Sequence, residues 1–296
     1  MKIIRPIATL CDSIVSSNVT LEHPVYDATT TYSKDDYVVD TACGASVYKS
    51  LANANTGNSP ATSSEWWVKT GTSNYYALFD NKISTQTQRA ESIEYEAEFT
   101  GLVNAIALIN VEANAVRFEA WNAADEKVID QVVSLKDIGR TSLYDYYTRP
   151  LEYVNRYVNF KLPTLRSGKG KLTLSRPGGI AKIGALVYGS KFVIGESQWG
   201  VTVGIQDYSI KETDDFGNHY VVERGFQDKM DVDVVVDSKR TFTVKQELTK
   251  FRANPTIWVA DESMPETITF GYYKDFSIIL PHSAFNECSL QILGLS

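Results

Sequence analysis

The sequence ESIEYEAEF at residues 91–99 alternates between apolar and charged side chains. Because successive side chains of a β-strand point to opposite faces, this period of two predicts a half-buried strand. The apolar face would carry Ile93, Tyr95, Ala97 and Phe99, and the other face Glu94, Glu96 and Glu98. A solvated strand face is the expected role of the three glutamates; a calcium site or a pair of glycosidase carboxylates is the alternative.

The same alternation continues on the C-terminal side of this stretch, and Gly and Pro residues separate the segments. Strand-like segments occur at 101–111, 115–121, 157–163, 170–176 and 181–190, with Pro177 and Gly178 between the last two. No helical pattern lies between them. Strands at this spacing predict an all-β fold, and residues 71–194 are expected to form a β-sandwich of the jelly-roll type.

A second β-rich domain is expected at residues 195–296, because the alternation starts again after Trp199. One segment departs from it: Val244, Leu248 and Phe251 follow the i, i+4, i+7 spacing of a short helix. Residues 1–25 are predicted to supply an N-terminal strand that docks on a later domain. Residues 26–70 then form a small insertion, so the chain divides at 25, 70 and 194.

The composition of the chain argues against nucleic-acid binding and membrane insertion. The net charge is −7 and no block of Lys and Arg residues occurs, so the basic surface that nucleic-acid binding needs is missing. No stretch approaches the ~20 apolar residues of a membrane helix, and Pro6 interrupts the short apolar run of the N-terminus. We therefore expect no nucleic acid, no membrane insertion and no secretory signal. Cys11, Cys43 and Cys288 have neither disulfide nor metal-site spacing and are expected to be buried or half-buried thiols.

The polar stretch 26–70 ends in two adjacent tryptophans and resembles the small chitin-binding type of carbohydrate-binding module. Its members share spaced features that this chain carries as Tyr26 and Tyr32, Asp36 and Val38, Val47-Tyr48-Lys49-Ser50, Asn55, Gly57 and Pro60, and Trp66-Trp67. Two positions depart from the pattern: Tyr26 stands where the family often has Trp, and Asp35 where it has Gly. Asp tolerates the left-handed backbone region better than most residues, so we expect the turn to survive.

This resemblance implies a glycan-binding surface in which aromatic rings stack on sugars, with Tyr32, Tyr48, Trp66 and Trp67 as the candidate residues. A structural interpretation stays open beside it, since Trp also builds the core of so small a domain. Adjacent residues of a strand point to opposite faces. One of Trp66 and Trp67 is therefore expected in the core, and the other at the surface or at a domain contact.

The stretch after the module, TSNYYALFDNKISTQTQ at 72–88, resembles a segment that follows such modules in tail proteins of tailed bacteriophages. Residues 75–190 also look like a galactose-binding-like jelly roll. The resemblance implies a virion protein of the tail tip or baseplate, assembled in the host cytoplasm. Because tails have threefold or sixfold symmetry, it further implies a homo-oligomer, a trimer or a hexamer. The implied partners are other phage tail proteins and host cell-surface polysaccharide.

Catalytic motifs are missing: the chain has no GxSxG, HExxH or P-loop sequence, and His23, His219 and His282 lie far apart. We therefore expect no enzymatic activity, no cofactor and no metal. The alternatives to a tail protein are a stand-alone glycan-binding protein and the binding module of a secreted carbohydrate-active enzyme. A group of tyrosines belongs either to an interface or to the rim of the sandwich core: Tyr144, Tyr146, Tyr147, Tyr153 and Tyr157.

Overall fold

A computed structural model describes residues 1–9, 13–41, 44–136, 143–148, 153–213, 216–280 and 284–295. The fold is all-β, as the alternating segments predicted. Among the described residues, no helix has the length and apolar character needed to cross a membrane.

The strands and helices have the following bounds in chain order. The strands are β1 (Lys2–Pro6), β2 (Ile14–Ser17), β3 (Tyr37–Asp40), β4 (Ser46–Ser50), β5 (Trp67–Thr72), β6 (Thr87–Val103), β7 (Ala105–Glu112), β8 (Ala115–Asn122), β9 (Lys127–Ser134), β10 (Arg156–Asn159), β11 (Leu165–Val193), β12 (Glu196–Ser197), β13 (Thr202–Asp207), β14 (Ile210–Thr213), β15 (His219–Val222), β16 (Phe226–Asp237), β17 (Thr256–Val259), β18 (Ile268–Ile279) and β19 (Phe285–Gly294). The α-helices are α1 (Leu143–Thr148) and α2 (Thr241–Lys250). Short 3-10 turns lie at Ala77–Phe79, Ser238–Arg240 and Pro265–Thr267.

The long strand β11 connects the two layers of a β-sandwich. Its first half lies between β6 and β8, and its second half pairs with β7 and then with β1. The apolar faces of these strands pack together in one core, which contains Ile93, Tyr95 and Phe99 of β6. The predicted alternation at 91–99 is thus confirmed, with Ile93 fully buried and Glu98 exposed.

The prediction of two separate strands at 170–176 and 181–190 is wrong, because β11 runs through both. At Pro177 and Gly178 the strand bulges instead of ending, with a register shift against β6 between Arg176 and Ile180. Gly178 has a φ of 75°, and the Arg176 guanidinium donates a hydrogen bond of 2.9 Å across the bulge to the Ile180 carbonyl. A bulge accommodates a residue without an N–H group and bends the strand, which here changes its neighbour from β8 to β7.

The N-terminal strand β1 lies inside the large sheet, between β11 and β17. The sheet continues through β17, β18, β19 and β16. Ile3 and Ile4 are both fully buried, and they belong to different cores on the two faces of β1. The hydrogen-bonded sheet therefore crosses the 194/195 boundary, and the division into domains there stays a prediction.

Helix α2 confirms the helical spacing at 241–251. Val244 and Leu248 are fully buried in a core with Met230 and Trp258, and Phe251 packs at its edge. Burial of these side chains holds the helix against the sheet, since a helix of 10 residues is marginal on its own.

The thiol of Cys288 in β19 is buried and free, as predicted. Burial, followed by the nearby Asp233 carboxylate, raises the pKa of Cys288 to about 11. Cys11 and Cys43 lie outside the described residues. Cys288 is accordingly an unreactive packing residue at neutral pH.

A ribbon at residues 199–226, here called the arm, precedes β16. Strand β13 pairs with the first half of β16, and β14 and β15 form a separate two-stranded hairpin. All six residues of β13 and all four of β15 are exposed. The arm therefore contributes little to the cores of the protein.

Candidate functional site

The stretch that resembles a carbohydrate-binding module folds as its own three-stranded antiparallel sheet, β3-β4-β5. The turn before β3 places Asp35 at a φ of 72°, so the prediction that Asp adopts the left-handed region here is confirmed. The Asp36 carboxylate accepts a hydrogen bond of 2.7 Å from the Ser33 backbone N–H. The Lys49 ammonium lies 2.8 Å from the Asp35 carboxylate and lowers the pKa of that carboxyl. The turn thus forms with Asp35 in the left-handed region, at the position where the pattern has glycine.

Trp67 is the centre of the module core, with 2% of its surface exposed. Its indole ring contacts the edge of the Tyr32 ring at 5.2 Å between centroids, and its Nε1 donates a 2.9 Å hydrogen bond to the Asn58 carbonyl. Tyr32 itself is 7% exposed, and its hydroxyl accepts a 2.8 Å hydrogen bond from the Asp27 N–H. Both rings therefore build the domain and present little surface to a ligand.

The loop between β4 and β5 is attached to this core through Asn55, which is 1% exposed. Its backbone exchanges hydrogen bonds of 2.9 and 3.1 Å with Tyr32, and its side-chain amide donates to the Ser50 hydroxyl at 3.1 Å. The Asn58 amide donates in turn to the Asn55 side chain at 2.8 Å. These contacts give Asn55 of the family pattern a structural role.

Trp66 and Tyr48 are the two candidate residues that stay half-exposed. The strand register pairs Tyr48 with Val38 and Ser50 with Trp67, so Tyr48 lies on the same face of the sheet as the buried indole. Together with one further ring they form the aromatic cluster of the module: Tyr26, Tyr32, Tyr48, Trp66 and Trp67. The sheet thus brings all four predicted residues together, two of them in its core and two at its surface.

Tyr26 is the member of this cluster that the candidate set lacked, although it is the first aromatic residue of the family pattern. It is half-buried, and its ring stacks on Tyr32 at 5.9 Å and meets Trp67 edge-on at 6.0 Å. Its hydroxyl oxygen is buried and has no hydrogen-bond partner among the described residues. Burial is the main cause that raises the pKa of Tyr26, and the nearby Tyr32 and Asp27 side chains raise it further.

The opposite face of the module sheet attaches it to the sandwich. Val39, Val47 and Tyr76 are buried in one small core there, beside the half-buried Tyr75. The segment after β5 is fixed by the Glu22 carboxylate, which accepts a 2.7 Å hydrogen bond from the Ser73 hydroxyl and backbone N–H bonds from Asn74. The module therefore has one face for anchoring and another for the aromatic cluster.

Other groups that the sequence singled out do not form a second site. Glu94 of the glutamate row pairs with Lys171 at 2.8 Å, as expected of a solvated strand face. The described residues contain no group of three or more His, Cys, Asp or Glu side chains that could hold a metal ion. His282 lies outside these residues.

The tyrosines at 144–157 divide between the two interpretations. Tyr144 and Tyr147 are 76% and 81% exposed on α1. Tyr157 instead stacks on Phe118 of the sandwich core at 5.8 Å, and Tyr153 lies under the Arg176 guanidinium. Tyr146 lies outside the residues whose side chains are described.

Comparison with known proteins finds no family model that matches the chain and no curated protein with significant similarity to it. The arrangement of the aromatic cluster is therefore the main guide to what the site does.

Proposed function

We propose that this protein is a structural component of a bacteriophage tail tip or baseplate, which assembles in symmetric copies and presents its small module to host-surface glycans. The observation that carries the proposal is the half-exposed pair Trp66 and Tyr48 on a module anchored by its other face. An anchored module with an aromatic outer surface is suited to adhesion.

The chemistry of the pair supports contact with sugars. Pyranose rings have apolar C–H faces that pack on aromatic rings, and their hydroxyl groups need polar partners at the rim. Lys69 lies opposite Tyr48 in the strand register and is exposed, and Glu65 next to Trp66 is exposed as well.

The rest of the chain supports a scaffold. Its large sheet joins the N-terminal strand to both β-rich halves, so the module is carried on a continuous hydrogen-bonded frame. Between the halves, Arg156 forms an ion pair with Asp228 and donates to the Ile268 carbonyl at 3.0 Å. These contacts of Arg156 hold the two halves together, which favours a rigid scaffold over a protein that opens and closes around a substrate.

Membership of the virion is tested by mass spectrometry of purified phage particles. We expect peptides of this chain in particles purified through a density gradient, in a constant ratio to the other tail proteins and with a copy number divisible by three. A protein that is abundant in the infected lysate but lost from purified particles would contradict the tail assignment. It would favour a stand-alone glycan-binding protein instead.

Glycan contact is tested by Trp66→Ala and Tyr48→Ala in the full chain. Each change should cost about 1 to 3 kcal/mol of binding free energy for the glycan, because an aromatic ring at the centre of a contact carries much of the affinity. Titration calorimetry with chitin oligosaccharides and with purified host polysaccharide measures the change. Tyr144→Ala removes a more exposed ring far along the chain and should leave the affinity unaltered. Unchanged binding in both module variants, with the fold intact, would assign the module a spacer role.

A further inference from the structure

The arm at residues 199–226 exposes an unusual amount of apolar surface. Its strongly exposed large side chains are Trp199 (96%), Ile205 (61%), Phe216 (92%), Tyr220 (60%), Val221 (67%), Val222 (53%) and Phe226 (55%). An aromatic side chain buries about 200 Å² when covered, so the exposed parts of Trp199, Tyr220 and Phe226 alone offer roughly 400 Å². That is half of the ~800 Å² that each partner contributes to a stable interface, before the aliphatic residues are included.

The hairpin of β14 and β15 also lacks support from the rest of its chain. Its two strands pair only with each other among the described residues, and no side chain of β15 is buried. Two-stranded hairpins are marginally stable in water and gain stability when one face is covered. On this hairpin, Ile210, Val222 and Tyr220 share a face, since Val222 pairs with Ile210 and Tyr220 with Glu212.

The outer face of helix α2 is complementary to the arm in charge and also exposes an aromatic ring. Phe242 is 71% exposed on it, and Lys245, Gln246, Thr249 and Lys250 follow at helical spacing around one shallow depression. The segment 238–252 carries five basic residues and one acidic residue. The described part of the arm carries three acidic residues and two basic ones, and Glu212 is exposed on the same face of the hairpin as Tyr220. A basic helix face with an exposed ring is complementary to an apolar ribbon that carries this carboxylate beside its tyrosine.

The two surfaces lie at opposite ends of β16. The arm joins this strand at Phe226, and the segment leading into α2 leaves it at Asp237. A strand of 12 residues spans roughly 36 Å, because each step along it rises about 3.3 Å. At this separation the arm and the helix face are better placed to contact a neighbouring copy than to contact each other within one chain. Such a head-to-tail contact closes into a ring or extends as a filament.

We propose that the arm of one copy packs on the outer face of helix α2 in the next copy. The partner is thus a second copy of this chain, and the contact buries Tyr220 and Val222 against Phe242, with Lys245 facing Glu212 of the arm. This inference rests on the assembly in symmetric copies proposed above and assigns the surfaces that produce it.

Sedimentation velocity of the full chain at 1 to 100 µM tests the contact with one variant of each surface. The arm variant carries Tyr220→Ser and Val222→Ser, and the helix variant carries Phe242→Ser and Lys245→Glu. All four side chains are exposed, so each variant should unfold at the wild-type temperature. We expect the wild type to form oligomers and each variant alone to need at least tenfold higher concentration to associate.

A mixture of the two variants gives the sharper result. The helix variant keeps an intact arm and the arm variant keeps an intact helix face, so the mixture should form a one-to-one dimer and nothing larger. A mixture without this dimer, a helix variant that assembles like the wild type, or a wild type that stays monomeric would each overturn the inference. Oligomers formed by a protein absent from purified virions would instead contradict only the tail assignment.

Discussion

Replacing Trp67 with alanine is expected to lower the free energy of unfolding of the small module by about 3 to 5 kcal/mol, the usual cost of deleting a large buried aromatic side chain. The indole is 2% exposed, contacts Tyr26 and Tyr32 edge-on, and makes a hydrogen bond to the Asn58 carbonyl. Amide hydrogen exchange of residues 37–40, 46–50 and 67–72 should accelerate by roughly 100-fold or more, since 1.4 kcal/mol corresponds to a factor of ten.

The neighbouring tryptophan supplies the matched control. Trp66→Ala removes the same side chain one residue earlier, where it is only half-buried, and should change exchange in the module far less. Trp67→Phe should have an intermediate effect, because it keeps a ring in the core and loses the hydrogen bond. Equal acceleration by the two alanine variants would mean that Trp66 is as much a core residue as Trp67, which would remove the basis for a binding surface.

Replacing Gly189 with alanine is expected to destabilise the whole protein by about 3 kcal/mol, the upper end of the cost of overpacking. A Cβ atom at this position would lie 1.9 Å from the Arg5 carbonyl oxygen and 2.9 Å from its carbon. The chain cannot shift away easily, because Gly189 pairs with Ala105 of β7 on its other side. Strand β1 would have to move instead, and its Ile3 and Ile4 belong to two separate cores.

Urea unfolding monitored by tryptophan fluorescence measures this effect, with Gly204→Ala as the control. Gly204 lies in exposed strand β13 with no atom within 4 Å of the added methyl group, so its replacement should change stability by less than about 0.5 kcal/mol. A Gly189→Ala protein as stable as this control would show that β1 is not held tightly between β11 and β17.

Several features follow from local sequence, and these were predictable. The alternation at 91–99 requires a half-buried strand whatever packs on it, because the period of two belongs to the strand itself. The spacing of Val244, Leu248 and Phe251 similarly predicts a helix, and Asp35 occupies the left-handed turn through its own backbone tolerance.

The continuity of β11 was not predictable in this way. Pro177 and Gly178 usually end a strand, and only the partners on both sides keep the chain in the sheet through the bulge. Hydrogen bonds to residues far away in sequence, such as the one between the Gly178 N–H and the Glu91 carboxylate, decide the outcome there. The exposure of the arm was not predictable either. Its alternating residues predict strands, but they do not show whether another part of the protein covers those strands.

The amino-acid sequence by itself therefore determined the all-β class, the position of the helix and the presence of a small module with an aromatic cluster. The tertiary structure alone decided that Trp67 is buried while Trp66 stays half-exposed, and that the N-terminal strand joins the two halves of one sheet. The physical reason is that the apolar periodicity of one segment predicts only which of its side chains share the buried face. Which of two similar rings reaches the surface depends on the register of neighbouring strands and on loops such as the one that brings the Asn58 carbonyl to the Trp67 indole.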